Sequence, residues 1–459
     1  MLQAFSFRVS VCLIDRLSAL PWRGVLAWLF VFTLLTHLPI LVLVGLDPNR
    51  TFFGGDSHQY HVLATNLLDR GIFSLQTSPP YEPDIFRTPG YPLFMAAIYG
   101  ISGHSLLALA VVQVLLAACT TVLLAGLAYR LRRSRAVAIT AAVIWAITPI
   151  PALFSGMIAP ETLFTSLLIL ILYCLIQPND SSRWWHAALA GLAYGLAVLT
   201  RPIGIILIPI LILVLLWQHP PRQWLRTLVP AILAVGLVLM PWLVPNYRLY
   251  RRITLSSIGG FNLLFYTTAS VIAHEAGVSF LDGQELVGSY YQDYLQRHPE
   301  IHNPAEQSQA MMAVAIEIIL KRPIAFAWYN LLHSLYGMAP GVSTAIVFLR
   351  PGMLDPNTVQ GSPAVAALGH PLVAFVAGVL TLFYVPLYAL SAVGLLRLFW
   401  KRDWFVLLTM LLLIAVPLYA AGGASSSRFR VPIEPYLALL AAEGIWTGVL
   451  WLKARRTLP

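Results

Sequence analysis

Apolar residues run through most of this chain in blocks of about twenty, separated by short clusters of proline, glycine and arginine. A membrane-crossing helix needs about 20 such residues. Ten segments approach or reach that length: 25–46, 105–129, 136–154, 160–177, 187–200, 203–217, 228–245, 372–398, 404–421 and 433–452. Several are short, and 187–200 and 203–217 are divided only by Thr200-Arg201-Pro202, so they also read as two half-length elements. Two longer stretches, 47–104 and 246–371, interrupt the pattern. In the first, Tyr60, Leu63, Ala64, Leu67 and Leu68 recur at helical spacing. They predict an amphipathic helix over 57–70, closed by Gly71 and lying flat on the membrane. A second short helix is predicted over 90–101, after Pro89. In the second stretch, 306–322 reads as an amphipathic helix and 324–349 as a further apolar segment. A crossing at 324–349 would put Arg397, Lys401 and Arg402 on the wrong side, so a re-entrant or surface-lying helix pair is expected there. Residues 1–24, with Arg8, Arg16 and Arg23 among apolar residues and no small-residue cleavage site, predict an interfacial helix.

Composition fixes the class. The chain is 58% hydrophobic and 10% charged, where a soluble domain carries about 25% charged residues. The expected fold is an all-α polytopic membrane protein with about ten transmembrane helices and amphipathic helices in its first outer loop. It divides into 1–24, a transmembrane module 25–245, a segment 246–371 and C-terminal helices 372–459. Charge sets the orientation. With both ends in the cytoplasm, Arg130, Arg132, Arg133, Arg135, Arg222, Arg226, Arg397, Lys401, Arg402 and the terminal cations share one side with only Asp15, Asp180 and Asp403. This positive-inside bias accounts for the net charge of +10 without nucleic acid, and makes RLRRSR at 130–135 a topological anchor. Cys12, Cys119 and Cys174 lie in or beside spans and are odd in number, which argues against a disulfide framework.

The polar chemistry gathers on the other side. Asp56, before the predicted first turn of helix 57–70, reads either as an N-cap or as a general base at the lipid surface. Asp56, His58 and His61 have a spacing compatible with a divalent metal, though that spacing is common by chance. Glu161 follows Pro160 as an ordinary helix start, or stands as a second carboxylate facing the same cavity as Asp56. Arg87, Arg201, Arg428 and Arg430 map to the outer face. Singly each reads as a snorkelling side chain; together, near two acids, they suit a lipid phosphate, which guanidinium binds in a planar, bidentate way. His58, Tyr60 and Tyr91 are candidate substrate contacts on the same two outer helices. Tyr290, Tyr291, Tyr294, Trp328 and Tyr329 are candidates for a sugar pocket.

GGDSHQYHVLATNLL, FRTPGYPLF, APETLF, LTRP, PWLVPNYRLY with SSIGGFNLL, and SSSRFRVPIEPYLALLAA occur in that order and sidedness. They resemble the GT-C membrane glycosyltransferases, in particular the protein O-mannosyltransferase-like branch that includes the lipid A aminoarabinose transferases. The likeness runs over roughly 25–245 and 404–452. It implies a hexosyl or pentosyl transferase that moves a sugar from a polyprenyl phosphate donor to a glycolipid, glycan or protein acceptor, with inversion. The expected place is the outer face of a bacterial inner membrane. By matching motifs, Asp56 takes the place of the first-loop catalytic acid, Glu161 that of a second acid, and Arg87 that of a cation on the lipid phosphate. Two departures stand out: Ser57 replaces a second adjacent acid, which weakens a metal site, and Pro245 replaces an arginine, with Arg248, Arg251 and Arg252 nearby.

Other classes are a lipid-linked glycan polymerase or ligase, a polytopic transporter, and a non-catalytic assembly subunit. A transporter usually shows repeats and mid-membrane ionisable groups, and here Glu443 is the only acid well inside a span. The orientation is directly testable with an impermeant thiol reagent on intact cells, in a background lacking the native cysteines. Ser78→Cys and Ser289→Cys should label and Ser134→Cys should not; labelling at 134 would reverse the assignment of faces.

Overall fold

The computed structural model describes residues 20–177, 184–351 and 370–456. Most of the expected interfacial helix at 1–24 lies outside the described residues, as do Asp180, Arg183 and 352–369.

Each apolar block becomes a helix. Among the described residues six are long and apolar enough to cross a membrane: Trp22–Leu46, Leu106–Arg132, Pro221–Tyr250, Pro371–Trp400, Trp404–Ala421 and Ser427–Leu452. The block at 136–154 is a pair, Arg135–Ala146 and Pro149–Ser155, bent by 59°, and the bend falls where Pro149 and Pro151 interrupt the run. Glu161–Leu175, Trp184–Thr200 and Pro202–Gln218 are shorter apolar helices. The chain is therefore a helical, multi-pass integral membrane protein with six or seven full-length candidate spans among the described residues, and the segments expected to be short, including 187–200 and 203–217, are the shorter helices.

Helix starts follow local chemistry. Ser105 and Ser134 accept backbone N–H bonds from Ala108 and Val137, at 3.2 and 3.3 Å, and so cap the helices that follow them. Between helices the packing uses small residues. A Cβ on Gly394 would lie 2.0 Å from the Leu440 carbonyl oxygen, and one on Gly444 would lie 2.1 Å from that of Leu390. The helices Pro371–Trp400 and Glu434–Arg456 thus approach backbone to backbone, the close contact that small residues permit in membranes. The main core is built from Phe154, Ile169, Leu172, Tyr384, Met410 and Tyr436 and their neighbours.

At the end of the bundle that carries RLRRSR, Arg132 pairs with both Asp403 and Glu443, and Arg397 Nη1 lies 3.1 Å from Glu443 Oε2. The intramembrane Glu443 is thereby a structural anion held by two arginines. Arg132 is more than a surface anchor, because it ties the ends of two helices to the middle of a third.

At the opposite end, the first long loop forms helices Gly54–Arg70 and Gly90–Ser102. The second forms a helical cap: Ile258–Phe261, a π-helical turn Asn262–Thr268, then Ala269–Ala276, Phe280–Arg297 and Pro304–Lys321. These pack around a separate small core of Leu264, Ile272, Val287, Tyr291, Val314 and Ile318. The apolar stretch 324–349 is two short helices, Pro323–Tyr336 and Val342–Leu349, separated at Gly341, whose φ of +85° needs a residue without Cβ.

Arg430, expected among the phosphate-binding arginines, belongs to the fold. Its side chain is fully buried, with Nε 2.6 Å from Glu434 Oε1, Nη1 donating to the Ala339 carbonyl and the guanidinium 4.0 Å from the centre of the Tyr384 ring. Tyr384 donates to Glu434 at 3.2 Å. Removing one partner of such a pair strands the other in the core and costs about 3–5 kcal/mol. Arg430→Ala should therefore lower thermal stability of the detergent-solubilised protein sharply. Pairing it with Glu434→Ala should restore part of the loss, and unchanged stability in Arg430→Ala would show that the pair does not hold the fold.

Candidate active site

Helix Gly54–Arg70 turns Tyr60, Leu63 and Ala64 inward and ends at Gly71, in the left-handed conformation. It starts three residues earlier than the sequence pattern suggests. Phe53 occupies the N-cap position without a side-chain cap, and Asp56 sits inside the first turn. The N-cap reading of Asp56 therefore gives way. The residue that serves the helix start is Ser57, whose Oγ accepts from Phe53 N at 2.9 Å and donates to the Ile158 carbonyl at 2.7 Å.

That second bond ties the helix to the segment leading into Glu161. The same segment is fixed from below. Tyr91 O–H accepts from Ala159 N at 2.8 Å and donates to Gln113 at 3.0 Å, while Gln113 Nε2 donates to the carbonyls of Ser155 and Met157. Tyr91 is thus fully buried and sets the position of Glu161; it is not a substrate contact. Arg201 is delivered by the end of helix Trp184–Thr200, in extended conformation before Pro202. Gly90 allows this approach, since a Cβ there would lie 2.6 Å from the Leu199 backbone.

Four chain segments meet in one charge cluster. Asp56 Oδ1 accepts from Arg87, and its Oδ2 accepts from Arg428 Nη1 at 2.5 Å. Arg428 Nε also donates to Glu161 Oε1, which Arg201 Nη1 reaches at 2.8 Å. Arg87 Nε is held by Gln59 Oε1 at 2.8 Å, and the Arg87 guanidinium lies 5.3 Å from the centre of the Tyr60 ring. Burial alone would raise the pKa of Asp56; Arg428 and Arg87 outweigh it and hold the carboxyl down at about 2.

The cluster opens on a cavity of about 710 Å³, within the usual range of small-molecule sites. Asp56, Gln59, Tyr60, Arg87, Arg201 and Arg428 line it, together with 255–267 from the cap. Exposure separates the two acids. The Asp56 side chain is 35% exposed and Glu161 is 0% exposed. Glu161 lies behind Arg201 and Arg428 and does not line the cavity.

The remaining candidates fall elsewhere. His58 is exposed and stacks on Phe52 at 4.5 Å, and His61 Nδ1 bonds the Tyr99 hydroxyl at 2.9 Å. They do not converge on Asp56, and no group of three metal-ligating side chains occurs among the described residues. Arg248, Arg251 and Arg252 are exposed outside the cavity, and none of Tyr290, Tyr291, Tyr294, Trp328 and Tyr329 lines it. Gln59 was not anticipated. Its signal was present, since it lies three residues after Asp56 and so on the same helix face.

Residues 86–246 match the family described as dolichyl-phosphate-mannose-protein mannosyltransferase. The archaeal oligosaccharyltransferase AglB from Archaeoglobus fulgidus, solved in complex with an inhibitory peptide and a dolichol-phosphate, is similar over 94% of this chain, with a TM-score of 0.53 and 16% identity. This chain spans about half of that protein, 51% of its length. ArnT from Cupriavidus metallidurans, solved bound to undecaprenyl phosphate, is similar over 92% of this chain and 78% of its own, with a TM-score of 0.45 and 14% identity. No curated protein sequence matches the chain. The family match covers the module that supplies Arg87, Glu161 and Arg201, and the AglB likeness extends the same architecture over the rest. Residues 86–246 are thus similar to a family of membrane mannosyltransferases, and the fold of the chain is similar to that of AglB.

Proposed function

We propose that this protein is an inverting glycosyltransferase that takes a sugar from a polyprenyl phosphate and passes it to an acceptor hydroxyl on the extracytoplasmic face. One observation carries the reading: a partly exposed carboxylate, Asp56, is gripped by two arginines at the edge of a cavity large enough for a sugar. The neighbours AglB and ArnT were solved with dolichol-phosphate and undecaprenyl phosphate, ligands of the same chemical class.

In the donor-free state Asp56 is a weak base, because a carboxyl with a pKa of about 2 has little drive to take a hydroxyl proton. The donor changes this. Its phosphate oxygens compete with Asp56 for the guanidiniums of Arg87 and Arg428, the geometry guanidinium favours. As those charges turn to phosphate, burial is the influence left on Asp56, and burial raises its pKa. The acceptor O–H proton then passes to Asp56 while the acceptor oxygen attacks the anomeric carbon. The bond from that carbon to the phosphate oxygen breaks, and its electron pair stays on the lipid phosphate. Arg87, Arg201 and Arg428 stabilise the developing charge, a contribution that is usually the largest in such sites. Glu161 acts as a positioning residue that aims Arg201 and Arg428.

Asp56→Asn should lower transfer by about 10²–10⁴-fold, the usual contribution of a general base. Undecaprenyl phosphate should bind that variant at least as tightly as wild type, since its arginines have lost a competing anion. Arg87→Ala should weaken undecaprenyl phosphate binding, and Arg87→Lys should recover only part because lysine lacks the planar fork. Normal transfer by Asp56→Asn would remove Asp56 from the chemistry, and normal binding by Arg87→Ala would move the phosphate elsewhere.

A further inference from the structure

The cavity wall that faces the arginines has a chemistry of its own. It is formed by 255–267 and includes Ser256, Asn262, Tyr266 and Thr267. Its centre is a π-helical turn, Asn262–Thr268, inserted between helices Ile258–Phe261 and Ala269–Ala276. π-Helical turns are rare and concentrate at functional sites, because the wider turn gives up regular backbone bonding to set side chains at new angles.

This turn is held firmly from behind. Leu264 is fully buried in the small core of the cap, Thr268 Oγ1 donates to the Leu263 carbonyl at 2.8 Å, and Gly260 N donates to Ser308 Oγ at 3.3 Å. It is also registered to the phosphate-binding side. Ser257 N donates to the Ile85 carbonyl at 2.7 Å, Phe261 meets Phe86 edge to face at 5.8 Å, and the Arg87 guanidinium lies 5.2 Å from the centre of the Phe86 ring. Displacement of the turn would therefore be felt at Arg87.

On the cavity side the turn offers neutral groups. The Asn262 carboxamide makes no hydrogen bond to the described residues, so its donor and acceptor are both available. Tyr266 places a ring beside it. Among the described lining residues, Asp56 is the only carboxylate, and both of its oxygens are taken by guanidiniums. Asp56 stands at the arginine end of the cavity, and the wall from 255–267 carries no carboxylate, so an ammonium on the part of the sugar that faces this wall would find no anion there. Hydroxyl groups would meet an amide, hydroxyls and an aromatic face.

We propose that the π-helical turn Asn262–Thr268 is the sugar-reading wall of this cavity, with Asn262 and Tyr266 as its contacts, and that the sugar is uncharged and hydroxyl-rich, not an amino sugar. This rests on the reading of the cavity as a polyprenyl-phosphate-sugar site. The same wall then determines donor specificity, while the arginines hold the part common to all such donors.

The test separates the two layers by measuring binding to the nanodisc-reconstituted protein with three kinds of probe. These are undecaprenyl phosphate alone, its glucosyl, galactosyl and mannosyl esters, and its 4-aminoarabinosyl ester. Wild type should bind at least one hexosyl ester about tenfold more tightly than the aminoarabinosyl ester. Asn262→Ala should weaken that hexosyl ester about tenfold, the scale of one hydrogen bond to a buried amide, and leave undecaprenyl phosphate unchanged. Tyr266→Ala should act in the same direction. Asn262→Asp, which supplies an anion, should shift preference toward the aminoarabinosyl ester. A wild-type preference for the amino sugar, or hexosyl binding unaffected by both alanine variants, would overturn the inference while undecaprenyl phosphate binding stands. Failure of undecaprenyl phosphate itself to bind would instead overturn the underlying donor reading, and the sugar assignment with it.

Discussion

The bond between Asp56 and Arg428 joins the first long loop to the short helical turn at the start of the last apolar helix, 372 residues apart in sequence. Around it the charges alternate: Arg87, Asp56, Arg428, Glu161, Arg201. Each anion touches two cations, and Arg428 touches both anions. This matters because the region is shielded from water, where an unpaired charge is costly. The three helical segments that deliver Glu161, Arg201 and Arg428 must therefore stop at one level, with the first-loop helix laid across them. Gly90, Tyr91, Gln113 and Ser57 serve that registration through close approach or hydrogen bonds. The cluster carries one more cation than anions, and this excess suits it to an incoming phosphate.

A second charge cluster closes the other end of the bundle, where Arg132 and Arg397 hold Glu443 and Arg132 also holds Asp403. The two differ in what faces them. Glu443 is 2% exposed on its side chain and has an arginine on each oxygen, so its pairing is structural. Asp56 is partly exposed to a cavity, so its pairing can be exchanged for a ligand. The same physics yields a rivet at one end and a receptive site at the other.

Apolar run lengths were enough to locate every helix of the bundle, because crossing a membrane demands a local property that a single segment carries. The amphipathic helix of the first loop was equally legible from the spacing of Tyr60, Leu63 and Ala64. What pairs with what was harder to read. Arg428 and Arg430 are two residues apart in one short turn, yet one meets Asp56 and the other is buried on Glu434. Nothing local distinguishes them, since the choice is made by helices packed from distant parts of the chain. Tyr91 and Glu161 were recognisable as important but not as buried supports, for the same reason. The π-helical turn of the cap was invisible, because GGFNLLFYTT carries no pattern that separates a widened turn from an ordinary helix.

The proposed transfer depends on a carboxylate that is quiet while the arginines hold it and basic once a phosphate draws them away. The most direct measurement is the pKa of Asp56 itself. Infrared difference spectra, wild type minus Asp56→Asn, would be followed from pH 2 to pH 8 with and without undecaprenyl phosphate. The Asp56 carboxylate should stay ionised down to about pH 2 in the free protein and titrate at distinctly higher pH with undecaprenyl phosphate bound. A pKa that does not move, or that falls further, when undecaprenyl phosphate binds would contradict the proposed transfer.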